Sequence, residues 1–234
     1  MGDVMLDSKD FNTDKRREIV ETALNVYNIE GAQEFLETLS QGNIAPSFPS
    51  VGALDDLSVF GQKPFDPSAL LSLSVFHDIV ASTNLMFGYI SKSGAAYLAN
   101  KFKGKTFIDP IAGRGWFAKA LREQGVTVYA GDHDVDTLCP VTEVENSDCV
   151  DLVNKYKDEA DILLLSWAHF KDTSDLDSAL EWGAGKPIIV YGELGASCNS
   201  QEFCEIFITD ELISDFPDLN CKRLKRVTMR LGHI

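Results

Sequence analysis

From Lys105 onward, apolar runs of strand length alternate with stretches of helical periodicity. Thr106-Phe107-Ile108 is a short apolar run ended by Asp109-Pro110, and Pro110 favours an extended Asp109, as the end of a strand requires. Trp116 to Gln124 carries Phe117, Ala120 and Leu121 at helical spacing, and Gly125 stops that helix. Val126 to Ala130 is β-branched and aromatic, which predicts a second strand ended by Gly131-Asp132. Val141 to Glu145 alternates as a third strand, closed by Asn146-Ser147-Asp148, and a helix follows from Cys149 to about Glu159. Residues 161–170 hold the uninterrupted apolar run Ile162 to Leu165, the pattern of a strand buried on both faces. Asp175 to Glu181 reads as a short helix broken by Gly183 and Gly185, and Lys186 to Glu193 as another buried strand. Gln201 to Phe216 reads as helix, and Leu219 to Leu231 alternates like a strand. This alternation predicts an α/β fold: a Rossmann-like, doubly wound, mostly parallel sheet.

The first third of the chain is patterned differently. Residues 1–12 are polar, and Thr13 or Asp14 can cap a helix running to about Asn28. Gly31 separates it from a second short helix with Ala32, Phe35, Leu36 and Leu39 on one face. Gly42 to Gly61 reads as loop or linker, and Pro67 can start a segment containing Leu70, Leu71, Leu73, Val75 and Phe76. Residues 83–104 predict a helix preceded by a polar turn and capped by Ser91 or Ser93. The expected division is a helical N-terminal extension or lid over 1–83 and a Rossmann-like domain over 84–234.

Composition narrows the picture. At 234 residues and 44% hydrophobic content, the chain can bury one sizeable core. It has no run of 18 apolar residues and no signal-peptide core, and its five cysteines are odd in number without C-x-x-C spacing, so a reduced, cytoplasmic protein is expected. Its net charge of −15 opposes non-specific attraction to nucleic-acid phosphates. The basic patch Lys222, Arg223, Lys225, Arg226 and Arg230 reads as a solvated strand face more readily than as a binding surface. The four histidines are scattered, so no standard zinc site is expected. His133 lies between Asp132 and Asp134, but alternate residues of an extended segment point apart, so metal is set aside there too.

Chemistry concentrates at the turn after the first strand. Gly113-x-Gly115-x-x-Ala118, with Asp132 downstream, fits a dinucleotide fingerprint. The stretch Ile108-Asp109-Pro110-Ile111-Ala112-Gly113-Arg114-Gly115 also resembles motif I of class I S-adenosylmethionine (SAM)-dependent methyltransferases, in the version that begins Asp-Pro and ends Gly-x-Gly. An acid beside the ammonium of SAM is electrostatically apt, whereas beside a pyrophosphate it would repel. The resemblance spans about residues 85–231 and is specific near this motif. It implies SAM as the cofactor, with Gly113 and Gly115 against the methionine moiety and Asp109 as the motif acid. It further implies Asp132 on the ribose hydroxyls, with Asp134 as the fallback, and Asp148 facing the adenine amino group. Asp148 equally suits the N-cap of the following helix.

Ser166-Trp167-Ala168-His169-Phe170 stands where amino-group methyltransferases carry (Asp/Asn/Ser)-Pro-Pro-(Tyr/Phe), and resembles a Ser-Trp-Pro-Pro-Tyr variant without its prolines. The resemblance implies Ser166 and Phe170 as catalytic candidates, with Phe170 stacking on substrate; His169, standing where the motif has proline, is a third candidate because an imidazole can act as base. A structural hydrogen bond is the plainer role for His169. Glu193 can hold a substrate cation or cap a turn. Trp116 can lean over the cofactor or pack its helix, and Tyr89, Ser91 and Ser93 can border the pocket or serve only capping and packing. Two functions are expected to compete. One is methyl transfer from SAM to an unidentified acceptor. The other is a catalytically inactive methyltransferase-like protein working through a protein partner, with the N-terminal helices as a contact surface.

Overall fold

The computed structural model describes residues 31–49, 79–81, 83–221 and 227–234. The expected helix ending near Asn28, the segment 67–76 and the basic residues 222–226 lie outside them. The described elements run in order: α1 (Ala32–Ser40), α2 (Lys92–Lys101), β1 (Phe107–Asp109), α3 (Trp116–Arg122), β2 (Val128–Asp132), α4 (Val135–Leu138), β3 (Glu145–Asn146), α5 (Cys149–Tyr156), β4 (Ile162–Ser166), α6 (Ser174–Trp182), β5 (Ile188–Gly192), α7 (Gln201–Ile206), β6 (Ile208–Leu212), a 3-10 turn (Pro217–Cys221) and β7 (Thr228–His233).

The strands form a seven-stranded sheet in the order β3-β2-β1-β4-β5-β7-β6. The first five are parallel, and β7 enters antiparallel between β5 and β6. The sheet is therefore the mostly parallel, Rossmann-like α/β architecture that the alternation predicts. Its apolar strands serve two cores because successive side chains face opposite ways. Phe107, Ile162, Leu164, Ile189 and Tyr191 join one cluster with α1, α2 and α3. Ile108, Leu163, Leu165, Ile188 and Val190 join the other with Leu152, Val153, Ala179, Trp182 and Phe203 from α5, α6 and α7. Ala32, Phe35, Leu36 and Leu39 of α1 belong to the first cluster, so this helix packs on the same core as the sheet. Among the described residues no helix is long and apolar enough to cross a membrane.

Four local expectations are corrected. Gln201 to Phe216 is not one helix: α7 ends at Ile206, Phe207 is extended (φ −73°, ψ 121°), and residues 208–212 form β6. Strand pairing with β7 overrides local propensity there. The third strand shrinks from Val141–Glu145 to Glu145–Asn146. The Arg122 guanidinium donates to Thr142 Oγ1 and to the Glu143 carbonyl, and Val141 N–H bonds Arg114 O, so this backbone lies over the glycine turn instead of along β2. The second strand starts later, at Val128, and runs on through Asp132. The strand expected over Leu219 to Leu231 starts only at Thr228 and runs to His233, residues 217–221 forming a 3-10 turn.

Buried carboxylates fix the loops. Ser91 caps α2 by accepting from Gly94 N–H at 3.1 Å, while its own N–H and hydroxyl donate to Asp218 at 2.8 and 2.6 Å. Burial pushes the Asp218 carboxyl up to about 6, against the lowering effect of those two bonds. Asp175, fully buried at the start of α6, accepts from Leu176 N–H, Asn199 Nδ2, Ser200 N–H and the Ser200 hydroxyl, tying α6 to the start of α7. The Ser91→Ala variant is expected to lose about 2–4 kcal/mol of stability, through the lost cap and the weakened charge-assisted bonding of Asp218. Urea denaturation at pH 7 checks this as a lower midpoint at unchanged slope.

Candidate functional site

β1 and β4 are adjacent, and the chain leaves them in opposite directions, to β2 on one side and β5 on the other. At such a switch point the flanking helices diverge and open a crevice outside the carboxyl ends of the strands. The glycine turn between β1 and α3 forms its floor. Gly113 and Gly115 adopt the left-handed region, at φ +56° and +79°. A Cβ on Gly115 would fall 2.7 Å from Val144 Cγ2, so no side chain fits there. A Cβ on Gly113 would meet nothing within 4 Å, so this part of the turn presents bare backbone to open space.

A cavity of about 100 Å³ occupies the crevice. One wall is Asp109, Ile111, Ala112 and Gly113 with Trp116 and Phe117; a second is Ser166-Trp167 at the end of β4; the third is Leu85-Met86-Phe87-Gly88. The third wall is strapped to the turn. The Asn84 carbonyl accepts from Trp116 Nε1 at 2.9 Å and from Arg114 Nη1 at 3.0 Å. Arg114 Nε also donates to the Cys139 carbonyl at 2.9 Å, and its guanidinium lies 5.5 Å from the Trp116 ring centre. Trp116 thus both lines the cavity and packs its helix. The strap was not legible as part of the site. Its signal was indirect: Arg114 and Trp116 bring donors into a turn that needs acceptors.

Asp109 ends β1 with 1% of its surface exposed, and its buried Oδ1 has no hydrogen-bond partner among the described residues. Burial, and then the nearby negative charge of Asp132, push its carboxyl up to about 7, although the Ile111 N–H and the Arg122 charge pull the other way. Asp132 ends β2. Its Oδ2 accepts from Gly113 N–H at 2.8 Å and its Oδ1 from Asp134 N–H at 3.0 Å. Asp134 itself is exposed and lies beside His133, at 3.2 Å. Asp148 is exposed and caps α5 by accepting from Val150 N–H at 2.9 Å.

Ser166 faces the cavity, and Trp167 beside it has φ +58°, a strained conformation for a bulky residue. Its N–H bonds Tyr191 O at 2.8 Å, and its ring meets Tyr89 edge-on at 6.4 Å. Tyr89 continues to Phe48 at 5.0 Å, and Phe48 to Phe35 of α1 at 4.6 Å, so an aromatic chain joins the cavity wall to α1. His169 and Phe170 lie beyond the cavity lining. His169 Nδ1 accepts from Lys171 N–H at 3.2 Å, and Phe170 is 47% exposed and stacked on His169. Glu193 accepts from the Ser197 hydroxyl within a turn at the end of β5. Ser91 and Ser93 are bonded to each other at the start of α2, away from the cavity lining. The structure thus brings Asp109, Gly113 and Ser166 to one cavity and Asp132 to its rim, and leaves Gly115, Asp148, His169 and Phe170 outside its lining.

The chain matches no protein-family model and no curated protein. Among solved structures it is similar to that of the pyocyanin biosynthetic protein PhzM, at 14% identity over 78% of this chain and 67% of that one, with a TM-score of 0.37.

A carboxyl whose folded pKa of about 7 exceeds its ordinary 3.8 takes up a proton on folding between those pH values. Its contribution to stability is therefore fully present below about pH 4 and is lost as pH rises through 7. The Asp109→Asn variant carries no such charge. It is expected to be more stable than the parent at pH 8, by on the order of 2–4 kcal/mol, with the gap closing towards pH 5. Thermal unfolding across that range, with both chains free of ligand, checks the sign and the trend.

Proposed function

We propose that this chain binds SAM across the Gly113–Gly115 turn and transfers its methyl group to an acceptor near the end of β4. The observation that carries this reading is the buried Asp109 Oδ1, which has no donor among the described residues and belongs to a residue lining a cavity beside bare glycine backbone. An unsatisfied buried acceptor costs about 1–3 kcal/mol, which a ligand ammonium would offset. Asp109 would hold the amine of the methionine moiety, with the bare Gly113 backbone against it, while Gly115 packs against Val144 and Thr142. Asp132 accepts two backbone N–H groups and has about two of its four acceptor positions left for the ribose hydroxyls. Asp148 keeps one oxygen free of its capping bond for the adenine amino group. The cavity of about 100 Å³ suits the methionine end alone. Drug-sized ligands fill about 300–1,000 Å³, so the nucleoside would lie along the open edge past Asp132.

When bound, the sulfonium would supply an electrophilic methyl group. The chain's own contribution would then be positioning and exclusion of water. Ser166 supplies a hydroxyl inside the cavity that can orient the acceptor, and Phe87, Phe117 and Trp167 supply apolar walls. The placement of His169 and Phe170 outside the lining favours a second reading, a methyltransferase-like protein without turnover whose charge of −15 suits a basic protein partner.

Calorimetric titration of the whole chain with SAM and, separately, with NAD tests the first reading. Micromolar affinity for SAM alone is expected, weakened at least about tenfold (1.4 kcal/mol) in Asp132→Asn, whose amide nitrogen also replaces one of the two oxygens that accept backbone N–H groups and so lowers the melting temperature. The His169→Ala variant is expected to retain SAM affinity. Binding of NAD in place of SAM would sink the proposal, and binding of neither would leave the interaction protein as the better account.

A further inference from the structure

Asp109 is an unusual residue to find without a cation. Among the residues lining the cavity it is the one with an ionisable side chain. The wall of residues 85–88 carries no ionisable side chain, Ile111 and Ala112 carry none, and the β4 wall presents only Ser166 and Trp167. The charges that reach it come from two other elements. Asp132 at the end of β2 disfavours its ionised form, and Arg122 of α3 favours it. Arg122 is already committed to the Val128 and Glu143 carbonyls and to Thr142 Oγ1. Arg114, on the turn itself, directs its donors to the Asn84 and Cys139 carbonyls. The cavity thus contains a carboxyl group with a bare oxygen, a like charge nearby and, among the described residues, no cation bonded to that oxygen.

We propose that Asp109 makes ligand capture at this cavity a proton exchange, in which the carboxylic acid releases its proton to solvent as a ligand ammonium takes its place beside Oδ1. The inference rests on the SAM reading above and adds the coupling. The balance is simple: the neutral acid becomes a carboxylate, one proton passes to the buffer, and the ammonium brings the compensating positive charge. The elevated carboxyl value, about 7, agrees with the geometry, because burial and Asp132 both favour the neutral form until a cation arrives. Affinity for an ammonium ligand then falls as pH drops below 7, while a ligand lacking the ammonium has no such dependence.

The test is calorimetry of the whole chain with SAM in two buffers of different ionisation heat, PIPES and imidazole, at pH 6.0 and 7.5. Methylthioadenosine, which keeps the nucleoside and lacks the ammonium, serves as the control ligand. With the carboxyl at about 7, the expected release is about 0.9 proton per SAM at pH 6.0, falling to about one quarter or less at pH 7.5. Any binding of methylthioadenosine is expected to give the same heat in both buffers. SAM binding with a buffer-independent heat at pH 6.0 overturns the proton exchange and leaves the SAM reading standing, whereas no SAM binding at all removes the reading beneath it. A second measurement is independent of affinity: the carbon-13 carboxyl titration of Asp109 in the free chain, assigned by its loss in Asp109→Asn. A midpoint near 7 that moves down with SAM supports the proposal. A midpoint in the ordinary carboxylate range overturns it.

Discussion

The bond from Gly113 N–H to Asp132 holds the glycine turn against the end of β2, and the shape of the crevice depends on it. The same strand end does more. Gly131 O accepts from Ala112 N–H at 3.0 Å, and Asp132 O accepts from Ser147 N–H at 3.2 Å. The turn after β1, the end of β2 and the start of the segment after β3 are therefore referenced to two consecutive residues. A carboxylate is suited to the role because it accepts several backbone donors at once without a donor of its own to satisfy.

The buried aspartates divide by what they are asked to do. Asp175 and Asp218 are surrounded by donors from their own chain, and each joins elements distant in sequence. Asp132 is likewise committed to backbone N–H groups. Asp109 alone among these four leaves an oxygen bare. Folding gains nothing from that arrangement, since burial raises the cost of the charged form and Asp132 raises it further. Stability left unrealised at a cavity is the mark of a residue retained for contact with something else.

Much of the sheet was legible because buried parallel strands leave uninterrupted apolar runs. Ile162 to Leu165 and Ile188 to Val190 are fully buried strands that read directly from such runs. The glycine turn and the end of β2 were legible from chemistry: two glycines, a preceding acid and a following one. β6 was not, because nothing local distinguishes Ile208-Thr209 from a continuing helix, and the pairing that decides the matter comes from residues about twenty positions on. The third wall of the cavity was hidden for a related reason. The segment 84–88 contacts the site through a main-chain carbonyl, which every residue possesses, so its sequence carries no mark of the role. The positive φ of Trp167 was invisible in the same way, being imposed by the connection out of β4 and not by its own preference.

The order of strands at the far edge has a consequence for how the molecule assembles. β6 precedes β7 along the chain, yet β7 lies between it and β5. β6 therefore joins the sheet only through its antiparallel pairing with β7, and its Ile208 and Leu212 stay exposed even in the finished sheet. Closure of this edge depends on a pairing between segments well separated in sequence, which loop entropy makes slow. The interval before that closure is when a chaperone, or another unfolded chain, would find its opening.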